Sequence, residues 1–363
     1  VFELIQRLGW TPDVIHCNDW QSALIPAYLK TLYSADSFFH PFKTLLTIHN
    51  FSYQGIFPKS SFDKTGLPES LNSEKGILHD GKLNYMKAGI LYADMINTVS
   101  EAYSKEILSD KELSGGLNTT LSKRKSLVHG LLNGIDKNIW NPETDKFIPE
   151  KFGLKNLESK AVNKESLVER FGLKFDPKIP VIGMISRLYD SKGIDLLVDG
   201  FNDIMKLNVQ FVLLGTGEKK YHTAFEKFVK KYPTKFACHL GFNDELAHLI
   251  EAGSDLYLMP SRYEPCGLNQ MYSLVYGAVP IVRETGGLAD TVEKYSEKTG
   301  DGNGFMFKQY DSAAMVKEIN RAVALFQDNK VWTKIMKNGM KMDFSWQASA
   351  KKYIELYKSI VAN

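Results

Sequence analysis

Two short polar stretches of the sequence carry residue types that could bind a phosphorylated sugar. One is the segment 261–270, Ser-Arg-Tyr-Glu-Pro-Cys-Gly-Leu-Asn-Gln, and the other is the segment 285–290, Thr-Gly-Gly-Leu-Ala-Asp. Gly286 and Gly287 would let backbone N–H groups approach an anion at a helix N-terminus, and Glu264 is a carboxylate suited to sugar hydroxyls. Taken alone, the glycine pair could equally well only close a tight turn, and Glu264 could equally well be a solvated charge, because short motifs are only hypotheses.

A second pair of candidate groups is cationic. Arg187 and Lys192 follow a predicted strand at 181–185, and Lys192 stands where the next helix is expected to begin. A guanidinium and an ammonium group suit a diphosphate, the first as a bidentate fork and the second as a point charge. The alternative is a solvated turn with the nearby Asp190, since arginine and lysine are mostly surface residues.

Histidine and aspartate also stand at the ends of predicted strands. His49 follows one strand, and a lone histidine there is more often a hydrogen-bonded structural residue than an acid or base. Asp19 follows another strand, where it could cap the helix that begins at Trp20. The sequence shows no zinc-site spacing, no P-loop, no Gly-x-Gly-x-x-Gly and no Gly-x-Ser-x-Gly. We therefore expect no metal site and no serine hydrolase.

The elements that must position these residues alternate between strands and helices. The alternation is clearest in the second half, where it predicts a parallel sheet covered on both faces. The predicted strands of this half are 181–185, 210–214, 236–240, 256–259, 280–282 and 304–307. Open α/β sheets bind ligands at the carboxyl ends of such strands. The polar stretches described above fall at those ends.

The first half shows the same alternation less regularly. Its predicted strands are 13–17, 44–48, 95–99 and 127–132. The segment 51–82 is rich in Gly, Pro, Ser and Lys and is predicted to be a long irregular insertion. A domain linker is predicted within 134–145. Apolar residues at helical spacing predict a final amphipathic helix over 346–361.

Composition excludes several other classes. The chain has 363 residues, which is enough for two domains. Its net charge of +3 gives no sign of a nucleic-acid or membrane partner, and no apolar run approaches the ~18 residues of a membrane helix. The basic cluster 123–125 is predicted to be solvated surface. Three cysteines without a Cys-x-x-Cys motif fit a reducing compartment.

Taken together, these residues resemble those of bacterial glycogen synthases and plant starch synthases, which are retaining glucosyltransferases that use ADP-glucose. The resemblance extends in order along almost the whole chain. The blocks that carry it are 16–21, 47–50, 53–55, 97–100, 132–136, 140–142, 186–188, 192–193, 260–274 and 280–292.

The resemblance implies the α/β fold called GT-B, in which two Rossmann-like domains face each other across a cleft. We expect residues 1–135 to form the remainder of the acceptor-side domain and residues 136–343 the nucleotide-sugar-binding domain. Residues 344–363 would form a helix that returns to the first domain. The Lys-x-Gly-Gly-Leu loop with which family members begin is not found. We therefore expect an incomplete first domain, weak or no catalysis, and an exposed sheet edge prone to aggregation.

For the predicted second domain, the resemblance implies that Arg187 and Lys192 hold the diphosphate. It also implies that Thr285, Gly286 and Gly287 contact the phosphates from a helix N-terminus. It assigns the glucose side of the nucleotide sugar to Glu264, Cys266, Gly267 and Leu268. Phe242 stands where many members have a tyrosine that stacks on adenine. Phenylalanine keeps the π-face and loses the hydroxyl.

For the predicted first domain, the resemblance implies that His49 and Asn133 contact the region of the glucose 6-hydroxyl and that Asp19 lines the acceptor side. The implied reaction moves glucose from ADP-glucose to the non-reducing end of an α-1,4-glucan with retention and without a cofactor. The His49 carbonyl would shield one face of the sugar. The expected partners are ADP-glucose and a glycogen or starch primer, in the bacterial cytoplasm or the plastid stroma.

Three alternatives stay open. Another GT-B transferase, of the sucrose synthase or trehalose type, would use UDP-glucose and would differ in its donor base. A non-catalytic binding protein would bind ADP-glucose without extending a glucan. A glucan phosphorylase shares the architecture but needs a lysine that carries pyridoxal phosphate, whose absorbance would reveal it.

Overall fold

The computed structural model describes residues 1–362, and the chain divides into two compact units. Unit 1 consists of Val1–Asn133 together with the chain from Gln347 onwards, and unit 2 is Gly134–Trp346. Each unit contains a parallel β-sheet with helices packed on it, in agreement with the predicted α/β class. Strands and helices are numbered along the chain.

The main sheet of unit 1 has four parallel strands. In spatial order they are β1 (Val14–Asn18), β2 (Lys43–Ile48), β6 (Met95–Thr98) and β7 (Val128–Gly130). The central strand β2 contains Leu45, Leu46 and Ile48, which are 0% exposed. Side chains on both faces of this strand are therefore buried, as expected for a parallel strand covered on both sides.

Helices cover this sheet. They are α1 (Phe2–Arg7), α2 (Asp19–Ser22), α3 (Ile25–Lys30), α4 (Tyr85–Tyr92), α5 (Glu101–Ser109), α6 (Asn118–Ser122) and α15 (Trp346–Ala362). The last of these packs Leu356 and Ile360 against Leu45 and Met95 of the sheet. Among residues 1–362, no helix is both long enough and apolar enough to cross a membrane.

The insertion at 51–82 is more ordered than predicted. It contains the strands β3 (Ile56–Pro58) and β4 (Leu78–His79), which form a small antiparallel sheet with β5 (Lys82–Asn84). It also contains two 3₁₀-helices, Lys59–Thr65 and Glu69–Leu71, over a cluster of buried apolar side chains. The prediction of an irregular segment was wrong because elements of two to seven residues are too short to show a hydrophobic period.

Unit 2 contains a six-stranded parallel sheet in which the strand order reverses. The strands are β8 (Val181–Leu188), β9 (Gln210–Gly217), β10 (Phe236–Leu240), β11 (Leu256–Met259), β12 (Val279–Arg283) and β13 (Phe305–Phe307). Their spatial order is β10-β9-β8-β11-β12-β13. The chain therefore builds outwards from β8 in one direction and from β11 in the other, and the reversal lies between these two strands.

Strand β8 is longer than predicted. It pairs with β9 along its whole length, from Val181 opposite Gln210 to Leu188 opposite Gly217. The strand was predicted to stop at Ile185, because polar residues follow. They are accommodated because the side chain of Ser186 is half-buried and that of Arg187 is exposed. Arg187 consequently belongs to the end of the strand instead of following it.

Helices cover both faces of this sheet. They are α7 (Lys160–Arg170), α8 (Ile194–Ile204), α9 (Lys219–Lys231), α10 (Asp244–Gly253), α11 (Asn269–Val275), α12 (Gly286–Thr291), α13 (Ser312–Phe326) and α14 (Asn329–Met340). Helix α8 buries Ile194, Leu197, Phe201 and Ile204, whose spacing places them on one helical face. Separate apolar clusters form on the two sides of the sheet.

The basic cluster 123–125 is not simply solvated surface. The Arg124 guanidinium is half-buried and donates hydrogen bonds to the carbonyls of Ile90 and Ala93, the latter at 2.6 Å. These carbonyls lie at the C-terminus of α4, where backbone acceptors have no partner within the helix. The prediction failed for Arg124 because a charge run shows nothing about which of its members reaches a helix end.

Candidate functional site

The candidate site of unit 2 lies at the carboxyl ends of β8 and β11, where the strand order reverses. A cavity of about 190 Å³ opens there. Residues predicted from the sequence line it: Arg187, Lys192, Glu264, Gly267 and Leu268. Open α/β sheets bind ligands in such a crevice, because the loops on its two sides diverge.

The carboxylate of this cavity is paired with one of its two cations. Lys192 Nζ lies 2.6 Å from Glu264 Oε2, and Ser261 Oγ donates to the same oxygen at 3.1 Å. Glu264 is 6% exposed, so the alternative of a solvated charge was wrong. Arg187 forms no ion pair within the described part of the chain, and its guanidinium lies 5.8 Å from the centre of the Tyr189 ring. The cavity therefore offers one uncompensated positive charge.

A glycine brings Lys192 close to the carboxylate. Gly193 follows the lysine with φ of +72°, a left-handed conformation that glycine adopts without strain. A Cβ atom at this position would overlap the Pro260 carbonyl at the end of β11. The close approach of these two loops sets the distance across the cavity.

The glycine pair allows two turns of unit 2 to pack closely. The Gly287 N–H donates to the carbonyls of Glu264 and Pro265, at 3.0 and 3.2 Å. A Cβ at Gly287 would overlap the Cys266 carbonyl, and one at Gly286 would overlap that of Glu264. The amide of Gly287 is thus already bonded inside the protein. What these glycines provide is close packing of the α12 turn against the loop that carries Glu264.

Phe242 and Thr285 lie outside the cavity lining. Phe242 follows β10 and is 88% exposed, and the preceding Gly241 N–H donates to Gly215 O at 2.9 Å. The exposed ring stands beside the carboxyl ends of β9 and β10, where a planar base could stack on it. Thr285 is buried and precedes the first turn of α12.

In unit 1, the structure brings Asp19 and His49 together. The His49 backbone N–H donates to Asp19 Oδ1 at 2.8 Å, and His49 Nε2 lies 3.0 Å from Asn18 Oδ1. Asp19 has φ of +53°, which is uncommon for a residue other than glycine and marks backbone strain. The alternative of an aspartate cap on the following helix was wrong, because the carboxylate accepts from the neighbouring strand instead.

Asn133 and His16 both lie close to α15. Asn133 is half-buried beside Leu132, whose carbonyl accepts from Ser349 Oγ at 2.6 Å. The ring nitrogens of His16 lie 2.7 Å from the Tyr357 hydroxyl and 2.6 Å from the Thr47 hydroxyl. Burial, and to a smaller extent the nearby His49, lowers the pKa of His16, so its imidazole is neutral. These bonds link α15 to β1 and β2.

No cluster of three or more metal-ligating side chains occurs within residues 1–362. The groups of unit 2 that could meet an anionic ligand are Arg187 and Lys192. Ser261 and Asn269 also belong to the site, although no role was predicted for them. Both stand in the polar stretch 261–270, but a sequence does not show which of its side chains turn towards a cavity.

Known proteins resemble this chain along most of its length. The family model described as the starch synthase catalytic domain matches residues 1–123, and the model described as glycosyl transferases group 1 matches residues 165–339. A glycogen synthase of Thermosipho africanus is 50% identical over 358 residues, which cover 98% of this chain and 74% of that protein.

Solved structures show the same likeness. The catalytic domain of starch synthase IV from Arabidopsis thaliana, bound to ADP and acarbose, matches with a TM-score of 0.90 and 34% identity, covering 99% of this chain and 75% of that one. Sucrose-phosphate synthase from Thermosynechococcus elongatus matches with a TM-score of 0.62 and 18% identity, covering 99% of this chain and 76% of that one. The second likeness concerns the fold alone. These matches confirm the predicted GT-B fold class.

Proposed function

Because the chain belongs to the family of glycogen and starch synthases, we propose that it transfers glucose from ADP-glucose to the non-reducing end of an α-1,4-glucan with retention of configuration. The observation that carries this proposal is the cavity at the reversal of strand order in unit 2. It combines the Arg187 guanidinium, which pairs with no carboxylate of residues 1–362, and the buried carboxylate of Glu264, which is held by Lys192. The first suits a diphosphate and the second a sugar.

Arg187 stabilises the leaving group in this proposal. When the bond between glucose and phosphate breaks, negative charge develops on the departing ADP and positive charge on the anomeric carbon. A guanidinium at a fixed strand end can bind two phosphate oxygens at once, and it needs no reorganisation as the charge develops. Lys192 adds a second positive charge, oriented by its bond to Glu264.

Glu264 positions the sugar. Its Oε2 already accepts from Lys192 and Ser261, which leaves Oε1 for a glucose hydroxyl. The Gly267 and Leu268 backbone borders the same cavity, and Cys266 lies buried next to it. A carboxylate tied to a lysine in this way is a poor nucleophile, which supports positioning over a covalent glycosyl-enzyme.

The roles of the unit 1 residues follow from family membership. His49 and Asn133 would contact the region of the glucose 6-hydroxyl, the His49 carbonyl would shield one face of the sugar, and Asp19 would line the acceptor side. The bond from the His49 N–H to Asp19 supports this, because it fixes the peptide plane next to the His49 carbonyl. The configuration would then be retained because ADP departs from the same face of the sugar that the glucan attacks.

We also propose that unit 1 is the acceptor-side domain and unit 2 the nucleotide-sugar-binding domain. Thr285 and Gly286 stay candidates for phosphate contact, and Phe242 for stacking on adenine. The proposed location is a reducing compartment, the bacterial cytoplasm or the plastid stroma. The three cysteines, none of which forms a disulfide, support it.

Transfer of radiolabelled glucose into glycogen tests the proposed function. The chain is incubated with glycogen and either ADP-glucose or UDP-glucose, and the label in precipitated glucan is counted. We expect incorporation from ADP-glucose to exceed that from UDP-glucose. Preference for UDP-glucose would contradict the donor assignment. Binding of ADP-glucose without any incorporation would favour a non-catalytic binding protein.

A further inference from the structure

We propose that Asn269 is a further donor-binding residue, whose amide oxygen accepts a hydroxyl of the glucosyl group, and that Tyr257 is the positioning residue that orients it. The inference rests on the proposed function and deepens it, since both side chains belong to the crevice between β8 and β11.

The two central strands of unit 2 separate early. Strand β11 pairs with β8 only at Ile182 and Gly183, whereas β8 remains paired with β9 as far as Leu188. Beyond Gly183, one edge of β8 therefore has no neighbouring strand. Buried backbone N–H and C=O groups require hydrogen-bond partners, so something other than a strand must bind this edge at Ile185.

Two side chains take the place of the missing strand. The Ile185 N–H donates to the Tyr257 hydroxyl at 3.1 Å, and Asn269 Nδ2 donates to the Ile185 carbonyl at 3.0 Å. The two side chains also bind each other, with Asn269 Nδ2 donating to the Tyr257 oxygen at 2.8 Å. The width of the crevice is therefore set by a phenol and a carboxamide instead of a backbone ladder.

This network determines the orientation of the Asn269 amide, that is, the directions in which Nδ2 and Oδ1 point. The Ile185 carbonyl can only accept a hydrogen bond, so the amide nitrogen must point towards it. Both N–H donors of that nitrogen are then used, one by Ile185 and one by Tyr257. What remains is Oδ1, an acceptor that has no partner among residues 1–362, on a side chain that lines the cavity with Arg187 and Glu264. A sugar hydroxyl is the matching donor.

Tyr257 is the buried member of this hydrogen-bond network. Its side chain is 0% exposed, and burial, together with the nearby Glu251 carboxyl, raises the pKa of the phenol well above its ordinary value. The hydroxyl therefore stays protonated and can donate to the Ile185 carbonyl, 3.4 Å away. Arg187 lies two residues beyond Ile185 on β8, so we expect that Tyr257, by binding Ile185, also holds the strand end that carries the guanidinium.

Calorimetric titration of the full chain with ADP-glucose and with ADP separates the two roles. We expect Asn269→Ala to weaken ADP-glucose binding about tenfold and ADP binding less than about twofold, because only ADP-glucose carries the hydroxyl. We expect Tyr257→Phe to weaken both about fivefold to tenfold, since it displaces Arg187 as well. In transfer assays, Tyr257→Phe should change kcat and the KM for ADP-glucose, while the KM for glycogen stays the same.

Tyr276→Phe is the matched control. Tyr276 is also 0% exposed, and its hydroxyl donates to Asp145 away from the crevice. This variant should lower the melting temperature without changing either affinity. If folded Asn269→Ala binds ADP-glucose as the wild type does, the assignment of Asn269 is overturned, and this arm decides it even if Tyr257→Phe does not fold. If Tyr257→Phe behaves like Tyr276→Phe, Tyr257 has no positioning role.

The same titrations distinguish failure of this inference from failure of the proposed function. A wild type that binds neither ADP-glucose nor ADP overturns both. A wild type that binds both ligands, with all variants equal to it, overturns the inference and leaves the proposed function standing.

Discussion

Arg187 differs from Lys192, the other cation of the site, because no carboxylate within residues 1–362 balances its charge. The sequence predicted the types of these residues but not their pairing, since nothing in the spacing of Lys192 and Glu264 shows that they meet across two loops. The pairing depends on the close contact of Gly193 with Pro260, which only the folded chain creates. The uncompensated guanidinium is therefore the group whose removal should cost activity without costing stability.

We expect Arg187→Ala to lower the rate of glucose transfer about 100-fold or more, because it removes the donor that stabilises charge on departing ADP. The melting temperature should be nearly unchanged, since Arg187 forms no ion pair among residues 1–362. Turnover with ADP-glucose and thermal unfolding by circular dichroism measure the two effects. Arg170→Ala, at the exposed end of α7, is the control and should be fully active. Near-normal turnover of Arg187→Ala would refute the assignment.

Phe242 provides a second test at the scale of one side chain. We expect Phe242→Ala to weaken ADP binding about tenfold, because stacking of a base on an aromatic ring contributes about 1–3 kcal/mol. Phe242→Tyr keeps the ring and should bind ADP as the wild type does. Titration calorimetry measures both. Equal affinities for all three proteins would show that the adenine does not lie on this ring.

Short elements are where sequence and structure differ most. The alternation of strands and helices predicted both parallel sheets, because runs buried on both faces are apolar throughout. It did not predict β3, β4 and β5, which are two or three residues long. The sequence also predicted an end for β8 that is three residues too early. The pairing with β9 extends this strand to Leu188, and that pairing joins residues distant in sequence.

The turn before α12 tests the packing role assigned to its glycines. We expect Gly287→Ala to lower the free energy of unfolding by about 1–3 kcal/mol, because the added methyl group would overlap the Cys266 carbonyl. It should also weaken ADP-glucose binding by displacing the loop of Glu264. Urea unfolding and calorimetry measure these effects. Gly241→Ala is the control, since its Cβ would meet only the movable side chain of His239. Equal stability of the two variants would contradict the packing role.

At the scale of the whole molecule, the alternation of strands and helices predicted the α/β class, because that pattern repeats over many elements. The GT-B arrangement was implied by the resemblance to glycogen and starch synthases. The two units of the structure are divided after Asn133 and after Trp346, next to the boundaries at 135 and 343 that the resemblance implied. The assignment of the units to the acceptor and to the nucleotide sugar stays a proposal. The chain spans 74% of the Thermosipho africanus relative and 75% of the starch synthase IV chain. The expectations of weak activity and of an aggregation-prone sheet edge stay predictions.

A buried lysine makes the stability of unit 2 depend on pH. Lys160 is 5% exposed, and its ammonium donates to the carbonyls of Glu251 and Ala252 at the end of α10, at 3.3 and 2.6 Å. Burial lowers its pKa from the ordinary 10.5 to about 7. Between these values the folded chain has lost a proton from Lys160 that the unfolded chain keeps, so the contribution of this lysine to the free energy of unfolding rises with pH. The nearby Glu251, whose pKa is raised by burial, contributes in the opposite direction.

We expect this contribution to grow by about 2 kcal/mol between about pH 7 and about pH 9 in the wild type and to be absent in Lys160→Met. Urea unfolding gives the free energy of unfolding of both proteins at the two pH values. The contribution of Lys160 is the change with pH in the wild type minus the change with pH in the variant. The variant's own loss or gain of stability cancels in this comparison. Parallel pH dependence of the two proteins would show that Lys160 keeps its proton in the folded chain.

The early separation of β8 from β11 has a consequence for the engineering of this crevice. Where a crevice is bounded by a backbone ladder, its dimensions can change only if the sheet changes. Where a side chain such as that of Asn269 binds the strand edge instead, a single substitution can change it. Selectivity for the sugar could therefore be engineered at Asn269 alone, because β8 stays paired with β9 whatever side chain stands there.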